Sequence, residues 1–265
     1  MSADAANSSQ AIALSELLRP LQQVFGTDRL TGVEWNQQVP PGTSTSWGGG
    51  AVTRLTGTAV ADGQSRPWSL IRKQLNSPQD RDTDPSAPWE TPSGILYWKR
   101  EHHVYQSGLL DGLLDGFAVP HCYHIEIAPD KCTLWLEEIR EELPTWSLDR
   151  FGVAARHLGL LNGLYLAERA LPDYPWLTTD IVQQKERRGE ILARLGELRQ
   201  HAIVRRGWPD DVVEGIRRIW REREWFYDVF HRLPRVFQHG DAGRRNLMSR
   251  TGRNGETETV AIDWG

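Results

Sequence analysis

The order in which strand and helix patterns follow one another constrains the fold of this chain most. Strand patterns are frequent up to Glu138, and helical periodicity covers most of the chain after it. Strands and helices separated along a chain in this way are typical of α+β folds. Because 265 residues are enough for one or two domains, we expect two lobes, residues 1–138 and residues 139–265, joined by a linker near residues 137–142.

The N-terminal part is predicted to be an antiparallel sheet with helices. Its strand segments are rich in β-branched, aromatic and alternating apolar residues, and an Ala61-Asp62-Gly63 turn joins two of them. Helical spacing predicts a helix over residues 12–25, interrupted by Pro20, and another over residues 95–114. The predicted strands are residues 32–39, 52–60, 68–75, 122–127 and 132–137.

The part after Glu138 is predicted to be mainly helical. Ser147 is a suitable N-cap for a long helix that ends near Ala170. Helical spacing continues over residues 180–202 and 210–230. The last predicted elements are short strands over residues 235–239, 246–249 and 257–263.

Charge and hydropathy exclude several classes of protein. The net charge is −4, whereas a dominant nucleic-acid binder carries a basic surface, so we expect no nucleic-acid partner. No apolar run approaches the ~18–20 residues of a membrane span, and residues 1–10 do not resemble a secretion signal. With only two cysteines in addition, we expect a cytoplasmic protein without a membrane partner.

Oxygen-bearing side chains are concentrated near the carboxyl end. The segment His239-Gly-Asp-Ala-Gly-Arg-Arg-Asn246 places Asp241 and Asn246 on one loop, and Asp263 follows the next strand. Oxygen ligands of this kind suit a hard cation such as Mg²⁺, which keeps waters and phosphate oxygens as its other ligands. Once some of these groups hold the metal, a remaining carboxylate is free to orient a hydroxyl.

This spacing, H-x-D-x-x-x-x-N followed by I-D-W, resembles the phosphotransferase family of aminoglycoside and choline kinases, relatives of the protein kinases. The resemblance spans residues 32–265. It implies a bilobal protein-kinase-like fold, in which an N-terminal antiparallel sheet lobe with one main helix binds nucleotide and a mainly helical C-terminal lobe is catalytic. Family members continue beyond the aspartate and aromatic pair, so the resemblance implies either a C-terminal lobe that is incomplete at its end or an acceptor pocket whose wall comes from residues 180–230.

The resemblance also implies residues that bind ATP. The family has a lysine on the third strand, paired with a glutamate on the following helix, and Lys73 and Glu101 stand at those places. A shift of one residue in the strand would put Arg72 there instead, and Glu90 is the alternative to Glu101. The remaining implied residues are the Glu137 carbonyl and Ile139 amide at the adenine edge and a phosphate-covering loop with Ser46, Gly48 and Gly49.

The function implied is ATP- and Mg²⁺-dependent transfer of the γ-phosphate to a hydroxyl of a small polar molecule, with Asp241 as the catalytic proton acceptor and Asn246 and Asp263 as the ligands of Mg²⁺. Gly240 and Gly243 replace basic residues of protein kinases, which favours an aminoglycoside-, choline- or sugar-like acceptor, and Arg244 or Arg245 is expected to supply the missing positive charge. The alternatives are a catalytically inactive nucleotide-binding module, because the phosphate loop has no standard motif, and a helical interaction protein that uses the arginines of residues 187–223. The identity of the acceptor and the oligomeric state stay open.

Overall fold

The computed structural model of the protein describes residues 12–40, 50–78, 89–143, 145–179, 194–252 and 254–265. Within these ranges the chain is an α+β protein with an N-terminal antiparallel sheet of five strands and several helices. The elements are α1 (Leu14–Phe25), β1 (Leu30–Gln38), β2 (Val52–Ala61), β3 (Gln64–Asn76), α2 (Arg100–Gln106), β4 (Phe117–Ala118), β5 (Cys122–Ile127), β6 (Lys131–Glu137), α3 (Leu148–Ala167), α4 (Leu195–Leu198), α5 (Ala202–Gly207), α6 (Asp210–Arg221), α7 (Arg223–Arg232), a 3-10 turn (Arg244–Asn246), β7 (Leu247–Thr251) and β8 (Thr257–Ala261).

The five-stranded sheet has the order β1-β2-β3-β6-β5, and every neighbouring pair in it is antiparallel. The predicted turn between β2 and β3 is confirmed: Asp62 and Gly63 have φ values of 48° and 80°, as a two-residue hairpin turn with positive φ at both positions requires. In this register Lys73 lies opposite Val52 on β2 and Leu134 on β6. The third strand is therefore central in the sheet.

Helix α1 covers one face of this sheet. Its Leu17 and Leu21 are fully buried against Leu55, Leu70 and Trp135. The predicted interruption at Pro20 does not divide the helix, which is continuous from Leu14 to Phe25. A proline inside a helix removes one backbone hydrogen bond, and the buried leucines on either side of Pro20 hold the helix against the sheet.

The opposite face of the sheet packs against α2 and the segment before it. Leu75, Leu134 and Leu136 are buried there beside Trp98 and Tyr105. The helix predicted over residues 95–114 is wrong in length, since α2 spans only Arg100–Gln106. The chain leaves the helix where Gly108 takes a φ of +71°, a conformation that glycine adopts without steric cost.

The C-terminal part is organised around α3 and the antiparallel pair β7 and β8, to which β4 from the N-terminal part adds a parallel strand in the order β4-β8-β7. The predicted N-cap is confirmed, because the Ser147 side chain accepts a hydrogen bond from the Arg150 amide. The predicted helix over residues 180–202 lies largely outside the described residues, and that over residues 210–230 is two helices that meet at Glu222. The strand predicted over residues 235–239 is wrong: the segment carries Phe237 into the core without joining a sheet.

Among the described residues, no helix combines the length and the hydropathy that a membrane crossing requires.

Candidate functional site

A cleft of about 720 Å³ lies between the five-stranded sheet and the segment that includes the 3-10 turn, β7 and the residues after β8. Its volume is within the ~300–1,000 Å³ of typical small-molecule sites. Apolar side chains form two facing walls. Val52, Ile71 and Leu136 belong to the sheet, and Met248 and Ile262 lie opposite.

Lys73 lies in the cleft and joins its two sides. Its Nζ atom is 2.5 Å from Glu101 Oε2 and 2.5 Å from Asp263 Oδ1. Arg72 belongs to the other face of β3, where its guanidinium contacts Glu16 of α1 at 3.4 Å and lies over the Trp135 ring. The open choice between the two residues is therefore resolved: Lys73, not Arg72, lines the cleft.

Two carboxylates determine the charge state of Lys73. Burial alone lowers the pKa of a lysine, but Glu101 and Asp263 outweigh it and hold the pKa of Lys73 above its ordinary value. Conversely, burial raises the pKa of Asp263, but the ammonium of Lys73 outweighs it and keeps that pKa below its ordinary value. The ion pair of Lys73 and Asp263 is thus charged on both sides at neutral pH.

Glu101 is the buried member of this group. Its side chain is 2% exposed, and its Oε1 atom has no hydrogen-bond partner among the described residues. Burial raises the pKa of Glu101, and Lys73 lowers it by less. Glu90, the alternative to Glu101, is bound elsewhere: it accepts hydrogen bonds from Trp98 Nε1 and the Ser77 hydroxyl, both at 3.0 Å.

His239 links the loop of Asp241 to the chain before Asp263. Its Nε2 atom donates to the Ile262 carbonyl at 2.8 Å, and its Nδ1 atom accepts from the Asp241 amide at 3.3 Å. Those two bonds require a neutral imidazole, and burial lowers the pKa of His239, which favours the neutral form. The Ile262 amide also donates to the Asn246 carbonyl at 3.0 Å. Asp263 follows directly, with a φ of 63°.

Asp241 is held by its own loop and is exposed. Asn246 Nδ2 donates to the Asp241 carbonyl at 2.9 Å and to its Oδ2 atom at 3.0 Å. The Arg245 guanidinium donates to the same Oδ2 atom at 2.7 Å. Because both side-chain bonds go to Oδ2, Oδ1 is the carboxylate oxygen that faces no donor among the described residues.

The residues predicted at the adenine edge line the same cleft. Glu137 and Ile139 both do so, at the end of β6 and just after it. The Glu137 side chain is engaged by Arg250 at 3.0 Å and by the His121 amide at 3.1 Å. The predicted phosphate-loop residues Ser46, Gly48 and Gly49 lie outside the described residues.

Sequence reasoning missed the apolar walls of the cleft. Ile71 stands two residues before Lys73 on β3 and Val52 lies opposite Lys73 on β2, so strand alternation and the hairpin register predict both once Lys73 is chosen. Met248 and Ile262 lie on a separate hairpin, and nothing local in the sequence indicates that they face the sheet.

Few side chains in the described part of the cleft offer oxygen atoms that could bind a cation. Within the described ranges no group of three His, Cys, Asp or Glu side chains converges as a metal site. Asp263 and Asn246 line the cleft side by side, linked through the Ile262 amide. Two protein oxygens fit Mg²⁺, which is usually bound by one or two protein ligands together with waters and phosphate oxygens.

A scan against protein-family models and a search of curated proteins found no match to this chain. The family resemblance of the His239–Asn246 segment therefore stays a prediction.

Proposed function

We propose that the protein is a small-molecule phosphotransferase that transfers the γ-phosphate of ATP to a hydroxyl, in a bilobal protein-kinase-like fold with residues 1–138 as the nucleotide lobe and residues 139–265 as the catalytic lobe. The observation that carries the proposal is the contact of Lys73 with both Glu101 and Asp263 inside a cleft. A lysine held by a helix glutamate and set beside a metal-binding aspartate is the arrangement by which kinases bind phosphates.

The apolar half of the cleft is suited to the base of the nucleotide. Val52, Ile71 and Met248 offer flat apolar contact, and the Glu137 carbonyl and Ile139 amide would hydrogen-bond the adenine edge. Lys73 would then contact the α- and β-phosphate oxygens as a point charge.

Asn246 and Asp263 would hold Mg²⁺, which neutralises charge on the phosphates when it is bound. Asn246 also orients Asp241 through its Nδ2 atom, so that its amide oxygen remains for the metal. His239 keeps the Asp241 loop and the Asp263 segment together.

Asp241 would receive the acceptor hydroxyl and its proton. Its carboxylate is at the solvent side of the site, and Oδ1 is the oxygen without a donor among the described residues. Phosphoryl transfer relies on positioning and charge neutralisation rather than on a protein nucleophile, and the site has carboxylates, an amide and cations in those roles.

The test is a panel of hydroxyl acceptors incubated with ATP and Mg²⁺ and followed by phosphate transfer to the acceptor. Asp241→Asn is expected to lower turnover about 10²–10⁴-fold without changing ATP affinity, because it removes only the proton acceptor. Asp211→Asn, at an exposed position on α6, is the matched control. Transfer by Asp241→Asn at the parental rate contradicts the assignment, and ATP binding without transfer to any acceptor supports the inactive nucleotide-binding module instead.

A further inference from the structure

We propose that Arg245 is an oxyanion-binding residue at the mouth of the cleft and that it exchanges its contact with Asp241 for a contact with the anionic group of a substrate. The inference rests on the proposed function for the role of Asp241. It adds to that function a ligand chemistry, a phosphate or carboxylate next to the acceptor hydroxyl, and a residue that recognises it.

The 3-10 turn directs two consecutive arginines to different surroundings. Arg244 lies 4.3 Å over the Trp146 ring and is bound by Glu141 at 2.9 Å and by the Leu247 carbonyl at 2.9 Å. Arg245 lines the cleft, and its side chain is 78% exposed. Arg244 therefore has a structural role, which leaves Arg245 as the arginine of this pair that a substrate reaches.

The other cations that line the described part of the cleft are fully engaged. Arg54 forms a two-pronged ion pair with Glu138, at 2.6 and 3.2 Å. Arg100 donates to the carbonyls of Trp176, Ile95 and Gly94 and to the Thr178 hydroxyl. Lys73 is shared by two carboxylates.

Arg245, by contrast, has one carboxylate partner among the described residues, and that ion pair is exposed. Asp241 is itself 59% exposed, and water screens ion pairs between exposed groups so that they add little to stability. A guanidinium has five N–H donors in a fork that matches carboxylate and phosphate oxygens. An oxyanion therefore displaces the contact to Asp241 at little cost, and Arg245 gains a two-pronged partner.

The exchange also prepares Asp241 for its role. While Arg245 contacts Asp241, the Oδ2 atom of Asp241 accepts hydrogen bonds from both Arg245 and Asn246. When Arg245 turns to the substrate anion, Oδ2 keeps only the bond from Asn246, so that Oδ2 as well as Oδ1 can accept the hydroxyl hydrogen without competition from a cation. Binding of the anion and release of the proton acceptor are thus coupled through one side chain.

The surrounding charges argue against an acceptor rich in amines. Such a ligand needs several free carboxylates, but Glu137, Glu138 and Asp263, which line the cleft, are bound by Arg250, Arg54 and Lys73. A guanidinium beside the acceptor position repels ammonium groups further.

Two oxyanions fit this description: the terminal phosphate of the nucleotide and an acidic group on the acceptor. The probes are inorganic tripolyphosphate, ATP and ADP, each with Mg²⁺, and a hydroxy carboxylate beside its uncharged amide. Arg245→Gln removes the charge, Arg245→Lys keeps the charge but loses the fork, and Arg218→Gln is the control at an equally exposed arginine of α6.

Calorimetric titration and transfer kinetics separate the outcomes. If the terminal phosphate is the ligand, Arg245→Gln weakens ATP and tripolyphosphate binding about 10- to 100-fold and leaves ADP binding unchanged. If the acceptor's acid is the ligand, the same variant raises KM for the hydroxy carboxylate by a similar factor and leaves the amide and ATP unchanged. In either case the measured affinity or KM of Arg245→Lys lies between the values of the parent and of Arg245→Gln.

The inference is overturned if Arg245→Gln matches Arg218→Gln in every titration and in KM for both acceptors, or if the parent protein binds none of the anions. Failure of the proposed function gives a different result. In that case tripolyphosphate binding still depends on Arg245, but ATP is bound no better than tripolyphosphate and no acceptor is phosphorylated.

Discussion

Replacing Lys73 with Met tests the charged group in the cleft through the stability of the fold. The substitution keeps most of the side-chain volume but removes the ammonium that lies 2.5 Å from carboxylate oxygens of Glu101 and Asp263. The Glu101 side chain, which is 2% exposed, then has no cation beside it among the described residues, whereas Asp263 is 51% exposed and accessible to water.

Removing one partner of a buried ion pair costs about 3–5 kcal/mol. In a protein of this size each kcal/mol shifts Tm by roughly 2–4 °C, so we expect Lys73→Met to lower Tm by about 10 °C at neutral pH. This loss of stability comes from Glu101, because screening by water makes the contribution of the exposed Asp263 small.

The loss of stability in Lys73→Met should become smaller as the pH falls. Burial already raises the pKa of Glu101 in the folded protein, and removal of Lys73 raises it further. A carboxyl group whose pKa is higher in the folded state binds its proton more tightly there, so folding is favoured as pH falls through the folded pKa toward the unfolded one. The deficit of Lys73→Met relative to the parent should therefore shrink from pH 7 to pH 5.

Thermal unfolding of the parent, Lys73→Met and Lys131→Met at pH 5, 6 and 7 measures this. Lys131 is an exposed lysine at the start of β6 and serves as the matched control. If Lys73→Met has the same Tm as the parent at pH 7, or if its Tm deficit grows as the pH falls, Glu101 does not depend on the Lys73 ammonium in this way.

Three further substitutions have defined outcomes. Arg150→Met should lower the free energy of unfolding in urea by about 2–4 kcal/mol, because it leaves buried acceptors on β7 and β8 without their donor; no change would mean that the buried guanidinium does not join α3 to that hairpin. Asn246→Ala should lower transfer to an acceptor about 10²-fold, since Asp241 loses both hydrogen bonds from Asn246 and the proposed Mg²⁺ site loses an oxygen ligand; parental turnover would argue against both roles of Asn246. Gly57→Ala should cost about 1–3 kcal/mol of unfolding free energy, because an added Cβ would lie 1.9 Å from the Glu34 carbonyl oxygen of β1; a neutral result in urea unfolding would contradict the close approach of the two strands.

The sheet could be predicted from the sequence because its signals are local. The Asp62-Gly63 turn requires positive φ at both positions, and the alternation of β3 separates Arg72 from Lys73. The family resemblance predicts Lys73 at the cleft, but the strand pattern alone does not exclude Arg72, because a period of two is unchanged by a slip of one residue. The answer depends on Glu16 of α1, which binds Arg72 on the other face.

The errors in the predicted elements have tertiary causes. The apolar spacing of residues 95–114 continues beyond the end of α2, since residues of the following turns, Leu109 and Leu110, are also buried in the core. Phe237 has the apolar character of a strand residue, but its segment fills the core without a sheet partner. Periodicity indicates burial in both cases and does not by itself distinguish a helix or strand from a packed turn.

The part of the site that follows from the sequence is the set of polar residues with defined spacing, Lys73, Glu101, Asp241, Asn246 and Asp263. Spacing places Asp241 and Asn246 on one loop, but the proximity of Lys73 and Glu101 to Asp263 could be expected only through the family resemblance. The different surroundings of Arg244 and Arg245 depend on Trp146 and Glu141, which precede them by about a hundred positions in the chain. The buried Arg150 was likewise not predictable, because arginine is rarely buried and its partners lie on β7 and β8.

Titration of ATP with and without Mg²⁺ shows whether the cleft holds a metal-bound triphosphate beside Lys73 and Asp263. The account predicts that the parent protein binds ATP more tightly with Mg²⁺ and that Asp263→Asn, at a half-exposed position, loses the Mg²⁺-dependent part while remaining folded. No ATP binding by the parent, or the same affinity with and without Mg²⁺ in both proteins, would contradict it.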